Sequence, residues 1–265
     1  MYSSFTKLKN DASICSQNSV LQCLLTSPVA AAVVAGSGPV AHALRSLHDR
    51  MLSTEATDAD DLRAAVAGDG IQDSLEYLTA LRGAQQGGLA EVTGLTSEER
   101  LTCITCGTVK QTPGKLGEIS IHLNAEEIDL QREIDQLVAE EPVVAECEFC
   151  GGDLAMKAAR ITNAPGMLVI HLVRSTFDQE TLKQVKLMKH VDCPLTELRF
   201  SGTTYDLHGT VEHLGTEPEG GHFTAHVRDK TSSEWFDVDD EKIQAINAGD
   251  VVTSNSYLLF YVKRA

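Results

Sequence analysis

Apolar residues recur at helical spacing in the first third of the chain. Residues 16–25, SQNSVLQCLL, place four apolar side chains on one face and predict a helix that ends before Pro28. Residues 71–83, IQDSLEYLTALRG, repeat this pattern and predict a second helix, with Gly83 as its C-cap. The glycine-rich segment 83–91 that follows is typical of a linker.

From about residue 100 the apolar pattern changes. Residues 118–123, EISIHL, alternate as a strand, residues 126–138 predict a helix, and residues 166–174, GMLVIHLVR, predict a buried strand. Four later segments also predict strands: YDLHGTV, HFTAHV, SEWFDV and SYLLFYVK. The sequence therefore predicts a helical N-terminal part, a mixed middle and a β-rich C-terminal part.

Length and charge narrow the class of protein. The 265 residues, 42% of them hydrophobic, suffice for one large domain or two small ones. The net charge of −16 argues against nucleic acid or an anionic membrane as the main partner. We find neither an apolar run long enough to span a bilayer nor the apolar core of a signal peptide, so we expect a cytoplasmic and/or nuclear location.

Two glycine-tailed cysteine pairs, CITCG and CEFCG, contain Cys103, Cys106, Cys147 and Cys150. Four thiolates from two tight turns suit a tetrahedral zinc ion, and in a reducing compartment disulfides or four buried thiols are weaker alternatives. A site filled by four protein ligands has no open position for substrate. We therefore predict that this zinc is structural rather than catalytic.

One of the three remaining cysteines is a candidate nucleophile. Cys23 follows an apolar helix face and Cys193 precedes a proline, so we expect both to be structural. Cys15 stands at the start of the predicted first helix, where unpaired backbone N–H groups favour a thiolate and can bind an oxyanion. A thiol at this position can act as a nucleophile if a histidine and a carboxylate elsewhere in the chain complete the site.

The segment GGHFTAHVRDKTSSEWFDVDD offers such partners. His222 follows two glycines on a predicted strand, and His226 lies on the same face of that strand. Asp237 and Asp239 share a face of the next strand, and Asp240 follows them. The pattern alone selects neither the histidine nor the aspartate.

Taken together, these segments resemble the ubiquitin-specific proteases. NDASICSQNSVLQCLL resembles the cysteine box of that family, and IQDSLEYL its following helix. The two CxxCG pairs resemble its zinc-bearing fingers, and NAPGMLVIHLVR a strand of its core. HFTAHVRD, EWFDVDD and NSYLLFYVKR resemble its histidine box and last strands. The order is collinear over nearly the whole chain.

The resemblance implies an α+β fold, that of a papain-like cysteine peptidase with thumb, palm and zinc-bearing fingers. We expect one USP-type catalytic domain over residues 1–265, with a helical thumb at 1–95, fingers with a four-cysteine zinc site at 96–165 and a β-rich palm at 166–265. The implied activity is thiol-dependent hydrolysis after the C-terminal Gly-Gly of ubiquitin. The implied partner is ubiquitin or a ubiquitinated protein.

The resemblance also implies individual roles. Cys15 would be the nucleophile, His222 the general base, Asp239 the residue that orients the imidazole, and Asn10 a side-chain oxyanion donor. The residues expected along the ubiquitin tail are two acidic residues and two glycines that leave it room: Asp73, Glu76, Gly220 and Gly221.

The cysteine box departs from the family pattern. Ala12-Ser13-Ile14 and Ser16-Gln17 replace the usual residues on either side of the cysteine. Two alternatives therefore accompany the protease hypothesis: a catalytically impaired ubiquitin-binding protein, and a protease for another Gly-Gly-tailed modifier. A zinc-ribbon nucleic-acid binder is disfavoured by the net charge.

Overall fold

A computed structural model of the chain describes residues 5–11, 13–52, 56–66, 70, 73–218 and 220–264. In these ranges no helix is long and apolar enough to cross a membrane. The helices are α1 (Cys15–Leu25), α2 (Ala30–Val33), α3 (Gly38–Met51), α4 (Asp60–Val66), α5 (Ser74–Ala84), α6 (Leu89–Thr93) and α7 (Leu130–Leu137). A single 3-10 turn covers Ala248–Asp250.

The strands follow in chain order. They are β1 (Leu95–Cys103), β2 (Val109–Leu116), β3 (Ile119–His122), β4 (Ile128–Asp129), β5 (Glu141–Val144), β6 (Leu154–Ile161), β7 (Met167–Val173), β8 (Ser175–Asp178), β9 (Lys183–Lys186), β10 (Val191–Asp192), β11 (Leu198–Phe200), β12 (Thr203–Leu214), β13 (His222–Arg228), β14 (Trp235–Asp239), β15 (Lys242–Ile246) and β16 (Ser256–Lys263).

The main sheet has the strand order β15-β14-β13-β12-β16-β7-β3, with β11 paired to β12. Its pairs are antiparallel except β3 with β7. Both faces are buried: Leu258 and Phe260 of β16 pack in one core cluster with α1, α3 and α5, whereas Leu259 and Tyr261 pack in a second cluster with α7. Period-2 alternation on a strand covered on both sides explains the continuous apolar run of β16.

Helix α1 is buried from Ser16 to Leu25, against β13 and α5. Its apolar side chains enter the first core cluster, where each fully buried leucine contributes about 1.5–3 kcal/mol. Some of its polar side chains bond to distant segments; Gln22, for example, donates to the Thr6 carbonyl at 2.6 Å. No side chain caps the N-terminus of α1. The first backbone N–H groups of this helix are therefore available to a group bound beside Cys15.

A separate four-stranded sheet has the order β2-β1-β6-β5. Its long hairpin β1–β2 is polar and largely exposed, so it lacks the apolar alternation that would have predicted it. Cys103 ends β1, and the second cysteine pair lies between β5 and β6. The sheet thus brings two segments far apart in sequence to one end.

The structure confirms several predicted elements. The predicted helix 16–25 is α1, and the predicted strands 118–123 and 166–174 are β3 and β7 with slightly narrower bounds. The four C-terminal segments are β12, β13, β14 and β16.

Three predictions at helix ends need correction. Gly83 is not a C-cap, since α5 continues to Ala84 and its C-cap is Gln85. The predicted helix 126–138 begins only at Leu130, because Asp129 caps it by accepting from the Arg132 N–H. The predicted linker 83–91 includes the start of α6. Ile71 and Gln72 of the predicted second helix lie outside the described residues.

Candidate active site

Cys15 is half-buried at the first position of α1. Burial raises the pKa of its thiol, and the negative charge of Asp240 adds to the rise. Hydrogen bonds from the backbone amides of Phe223, Ser16 and Cys15 itself act in the opposite direction. The resting group is therefore a thiol that needs a base, set among N–H groups that can stabilise negative charge.

His222 begins β13 and is joined to Asp239, the last residue of β14, by a 2.6 Å contact between Nε2 and Oδ1. Because an ionised carboxylate only accepts, Nε2 carries the proton and Nδ1 is left as the basic nitrogen. Burial alone would raise the pKa of Asp239, but its bonds to His222 and to Lys242 hold that pKa below the usual value. The pair can therefore act as an oriented base.

The thiol and the imidazole are not hydrogen-bonded in the part of the chain that the structure describes. Packing of α1 on β13 nevertheless brings Cys15 against the backbone of Phe223, the residue after His222. Catalytic hydrogen bonds are often long in the absence of substrate and tighten when it binds.

Asp240 binds two asparagines instead of a histidine. Its carboxylate accepts from Asn10 Nδ2 and from Asn18 Nδ2, each at 2.7 Å. It has a φ of 53°, in the left-handed region, and one of its carboxylate oxygens lies within 4.8 Å of the Asp239 carboxylate. The three aspartates near the end of β14 thus divide: Asp239 contacts His222, Asp240 contacts the asparagines, and Asp237 lies 3.7 Å from His226.

Asn10 holds the loop before the cysteine. Its Oδ1 accepts from the Ile14 N–H at 2.7 Å, while one Nδ2 hydrogen goes to Asp240. A side-chain amide has two N–H donors, so one stays available for an oxyanion. The sequence analysis did not single out Asn18, although a run of polar residues in a buried helix was a signal that they bond to something.

Asp73 caps α5 by accepting from the N–H groups of Leu75 and Glu76 at 2.8 and 2.9 Å. It also contacts the Tyr257 hydroxyl, whose pKa is raised first by burial and further by this carboxylate. Glu76 is exposed one turn further along α5. Both acidic groups therefore lie at the N-terminal end of α5, where the resemblance expects the ubiquitin tail.

The two glycines before His222 have positive φ values, 77° for Gly220 and 99° for Gly221. A Cβ on Gly221 would clash with the Leu214 carbonyl oxygen, whereas Gly220 faces open space. His213 bonds through Nε2 to the Gly220 carbonyl at 2.5 Å and stacks on Phe223. Gly221 is thus required by the close approach of this loop to β12, and Gly220 is favoured by its positive φ, in addition to any role with substrate.

The Sγ atoms of the four paired cysteines lie within 4.8 Å of one another. Cys103 and Cys150 are 3.7 Å apart, as are Cys106 and Cys147. A disulfide needs about 2.05 Å, whereas four sulfurs at about 2.3 Å from a tetrahedral zinc are about 3.8 Å apart. Four thiols at these spacings could hold a metal ion, and their geometry fits zinc.

Residues 6–261 match the family model of the ubiquitin carboxyl-terminal hydrolases. The chain belongs to this family. It is 29% identical over 170 residues to a probable ubiquitin carboxyl-terminal hydrolase 8 of Schizosaccharomyces pombe, an alignment that spans 62% of this chain and 36% of that protein. It is 32% identical over 130 residues to the human ubiquitin carboxyl-terminal hydrolase 2, spanning 46% of this chain and 21% of that protein. The chain thus matches only about a third or less of the length of these two relatives.

Solved structures share the fold of this hydrolase-family chain. A SAGA DUB module with Ubp8, Sgf11, Sus1 and Sgf73 bound to monoubiquitin matches with a TM-score of 0.82 at 20% identity, over 99% of this chain and 70% of that chain. A yeast SAGA DUB module with an Sgf73 mutant matches with a TM-score of 0.80 at 20% identity, over 99% and 69%. The predicted α+β, USP-type fold is confirmed. The boundaries at residues 95 and 165 and the individual site roles stay predictions.

Proposed function

We propose that this chain is a cysteine-type deubiquitinase that hydrolyses the peptide or isopeptide bond after the C-terminal Gly-Gly of ubiquitin. The observation that carries the proposal is the 2.6 Å bond between His222 Nε2 and Asp239, in a chain of the ubiquitin carboxyl-terminal hydrolase family. That bond fixes the tautomer that a general base needs. Its partner proteins would be ubiquitin and ubiquitinated proteins.

The reaction would proceed in two halves. His222 Nδ1 takes the Cys15 proton, and the sulfur attacks the carbonyl carbon of the terminal glycine. The oxyanion accepts hydrogen bonds from the Cys15 N–H and from the free Asn10 Nδ2 hydrogen. The imidazolium then donates its proton to the leaving amine as the C–N bond breaks.

The second half releases ubiquitin. A thioester joins Cys15 to the ubiquitin carboxyl terminus, and His222 takes a proton from a water that attacks this thioester. Collapse of the tetrahedral intermediate breaks the C–S bond and returns the proton to sulfur. Asp239 supports the imidazolium in both halves because its carboxylate lies against Nε2.

Zinc held by Cys103, Cys106, Cys147 and Cys150 would brace the four-stranded sheet. It would take no part in catalysis, because four thiolates leave no open position on the ion. A cytoplasmic and/or nuclear location would keep these thiols and Cys15 reduced.

Hydrolysis of ubiquitin–fluorophore conjugates tests the proposal. We expect turnover by the wild type, and a turnover rate at least 100-fold lower in Cys15→Ala and in His222→Ala. The control is His190→Ala, which changes an exposed histidine outside the proposed site and should leave the rate unchanged. Binding without turnover would favour an impaired ubiquitin-binding protein. Turnover of conjugates of another Gly-Gly-tailed modifier in preference to ubiquitin would favour the second alternative.

A further inference from the structure

A second histidine–aspartate pair lies beside the first on the main sheet. His226 and Asp237 face each other in the register of β13 with β14. His226 Nδ1 lies 2.8 Å from the Val251 carbonyl oxygen, and Nε2 lies 3.7 Å from Asp237 Oδ1. Their side chains are only 12% and 25% exposed, so solvent screens this pair weakly. The proposed reaction assigns no role to either residue.

The Val251 contact locates one proton of the ring. A carbonyl oxygen can only accept, so Nδ1 of His226 carries a hydrogen. Nε2 of a neutral ring would then present a lone pair to Asp237, and an ionised carboxylate would repel it. Either Nε2 is also protonated or Asp237 is.

A bridging water does not resolve this conflict. Two hydrogen bonds of about 2.8 Å meeting at a water at the tetrahedral angle span about 4.5 Å, more than the 3.7 Å between Nε2 and Oδ1. At 3.7 Å the two groups lie within ion-pair distance but beyond a direct hydrogen bond, so the proton belongs either to Nε2 or to the Asp237 carboxyl.

We propose that His226 and Asp237 hold one proton between them and so carry no net charge beside the catalytic pair. They act as positioning residues: with the proton in place, Asp237 adds no negative charge beside Asp239, two residues away on the same face of β14. The consequence for catalysis rests on the proposed function. The location of the proton does not depend on that function.

The surroundings of the pair favour retention of the proton. Burial raises the pKa of Asp237, His226 and His222 oppose the rise, and the carboxylates of Asp239 and Glu212 add to it. Glu212 is buried and accepts from the hydroxyls of Thr210 and Ser256. The charged groups that act on Asp237 are Glu212 on β12, His222 and His226 on β13 and Asp239 on β14. Further charges adjoin these contacts: Lys242 of β15 binds Asp239, Asp250 precedes Val251, and Arg174 interacts with Glu212.

Three variants separate charge from packing: His226→Gln, Asp237→Asn and the double variant. The readout is the pH dependence of Cys15 alkylation by iodoacetamide, followed by mass spectrometry of the Cys15 peptide. In His226→Gln the pair loses its basic nitrogen, so in the alkaline range where Cys15 titrates the Asp237 carboxylate is an uncompensated negative charge. Nearby acids then hold their protons more tightly, and we expect the midpoint to rise by about 0.5 pH unit or more.

The other two variants leave the site without an added charge. In Asp237→Asn a neutral His226 accepts from the new amide, and in the double variant both groups are neutral. We expect their midpoints to stay within about 0.2 pH unit of the wild type. An equal rise in His226→Gln and in the double variant would attribute the effect to lost packing and overturn the proposal, as would no rise in His226→Gln.

A measurement on the wild-type protein tests the proposal even if one of the variants fails to fold. Nuclear magnetic resonance of the ¹⁵N-labelled imidazole and the ¹³C-labelled Asp237 carboxyl follows both groups. We expect their signals to move with one common midpoint, because coupled groups titrate as a pair. Independent midpoints would overturn the proposal. The alkylation and resonance measurements need no ubiquitin. They therefore test this inference even if the chain proves not to hydrolyse ubiquitin conjugates.

Discussion

Asp239 and Asp240 are adjacent in sequence but orient different parts of the site. Asp239 holds the imidazole through Nε2, and Asp240 holds the side-chain amides of Asn10 and Asn18. Asp240 also raises the pKa of the Cys15 thiol by its charge. One carboxylate therefore holds the proposed oxyanion donor, Asn10, and also makes the proposed nucleophile, Cys15, less acidic.

Replacement of Asp240 by alanine should separate these two effects. We expect the pKa of Cys15 to fall, since a nearby negative charge is lost, and alkylation to begin at lower pH. We expect ubiquitin turnover to fall by roughly 10- to 100-fold, because Asn10 is no longer held beside the oxyanion. The free energy of unfolding should drop by about 1–3 kcal/mol from two lost hydrogen bonds.

Alkylation kinetics, ubiquitin–fluorophore turnover and urea unfolding measure these three quantities. Asp240→Asn is the matched control: it removes the charge but keeps an acceptor oxygen for one of the amides. It should lower the alkylation midpoint as alanine does and lose less turnover. Loss of turnover with an unchanged alkylation midpoint would contradict the charge effect.

At the scale of elements, two features place the site: a buried helix with an uncapped N-terminus and a sheet end that carries three aspartates. The long β1–β2 hairpin pairs with β6, and this pairing brings the two cysteine pairs together. The four clustered Sγ atoms at its end could hold a metal ion. We propose that this ion stabilises the hairpin, since its strands bury few side chains.

Removal of the metal should loosen this four-stranded sheet. In Cys147→Ser we expect loss of about one equivalent of zinc and a fall in Tm of roughly 5 °C or more, because metal binding contributes directly to folding. Elemental analysis and calorimetry measure both. Cys15→Ser, which changes a thiol outside the cluster, should keep the metal and the Tm; zinc loss in that variant, or full zinc retention in Cys147→Ser, would contradict the assignment.

Sequence patterns predict some of the helices and strands and miss others. Periodicity predicts α1, β3, β7 and the C-terminal strands, since each has one or two faces in a core cluster. It misses the β1–β2 hairpin, whose polar strands are stabilised by pairing. Helix α3 was not predicted either, although its buried residues Val40, Leu44, Leu47 and Met51 recur at helical spacing. Its position at a helix start makes Cys15 a candidate nucleophile, and the family resemblance assigns it that role and selects His222 over His226. The division of roles among Asp237, Asp239 and Asp240 depends on cross-strand register and on one positive φ, which alternation cannot reveal.

At the scale of the whole molecule, the main sheet is joined to α1 by buried polar contacts as well as by apolar packing. His208 on β12 is buried, and its Nε2 atom lies 3.2 Å from the hydroxyl of Thr26. Thr26 is the residue that follows α1. Burial lowers its pKa to about 3, and the positive charges of Arg228 and Lys230 contribute. The folded protein therefore keeps this ring neutral where the unfolded chain protonates it.

Acid should destabilise the fold through His208. Between pH 6.5, the ordinary pKa of histidine, and about pH 3, the unfolded chain binds a proton that the folded protein does not, so the free energy of unfolding falls as pH falls. We expect His208 to account for a loss of about 2 kcal/mol between pH 6.5 and 5. Urea unfolding across this range measures the slope; His208→Gln should start less stable but have a shallower slope, and an unchanged slope would contradict the prediction.

The central claim is that Cys15 is the nucleophile that attacks the C-terminal carbonyl of ubiquitin. Incubation of the protein with ubiquitin bearing a C-terminal electrophile, followed by peptide mapping, tests it most directly. We expect one covalent adduct, on Cys15, and none in Cys15→Ala. An unlabelled wild type, or an adduct on another of the seven cysteines that persists in Cys15→Ala, would contradict the claim.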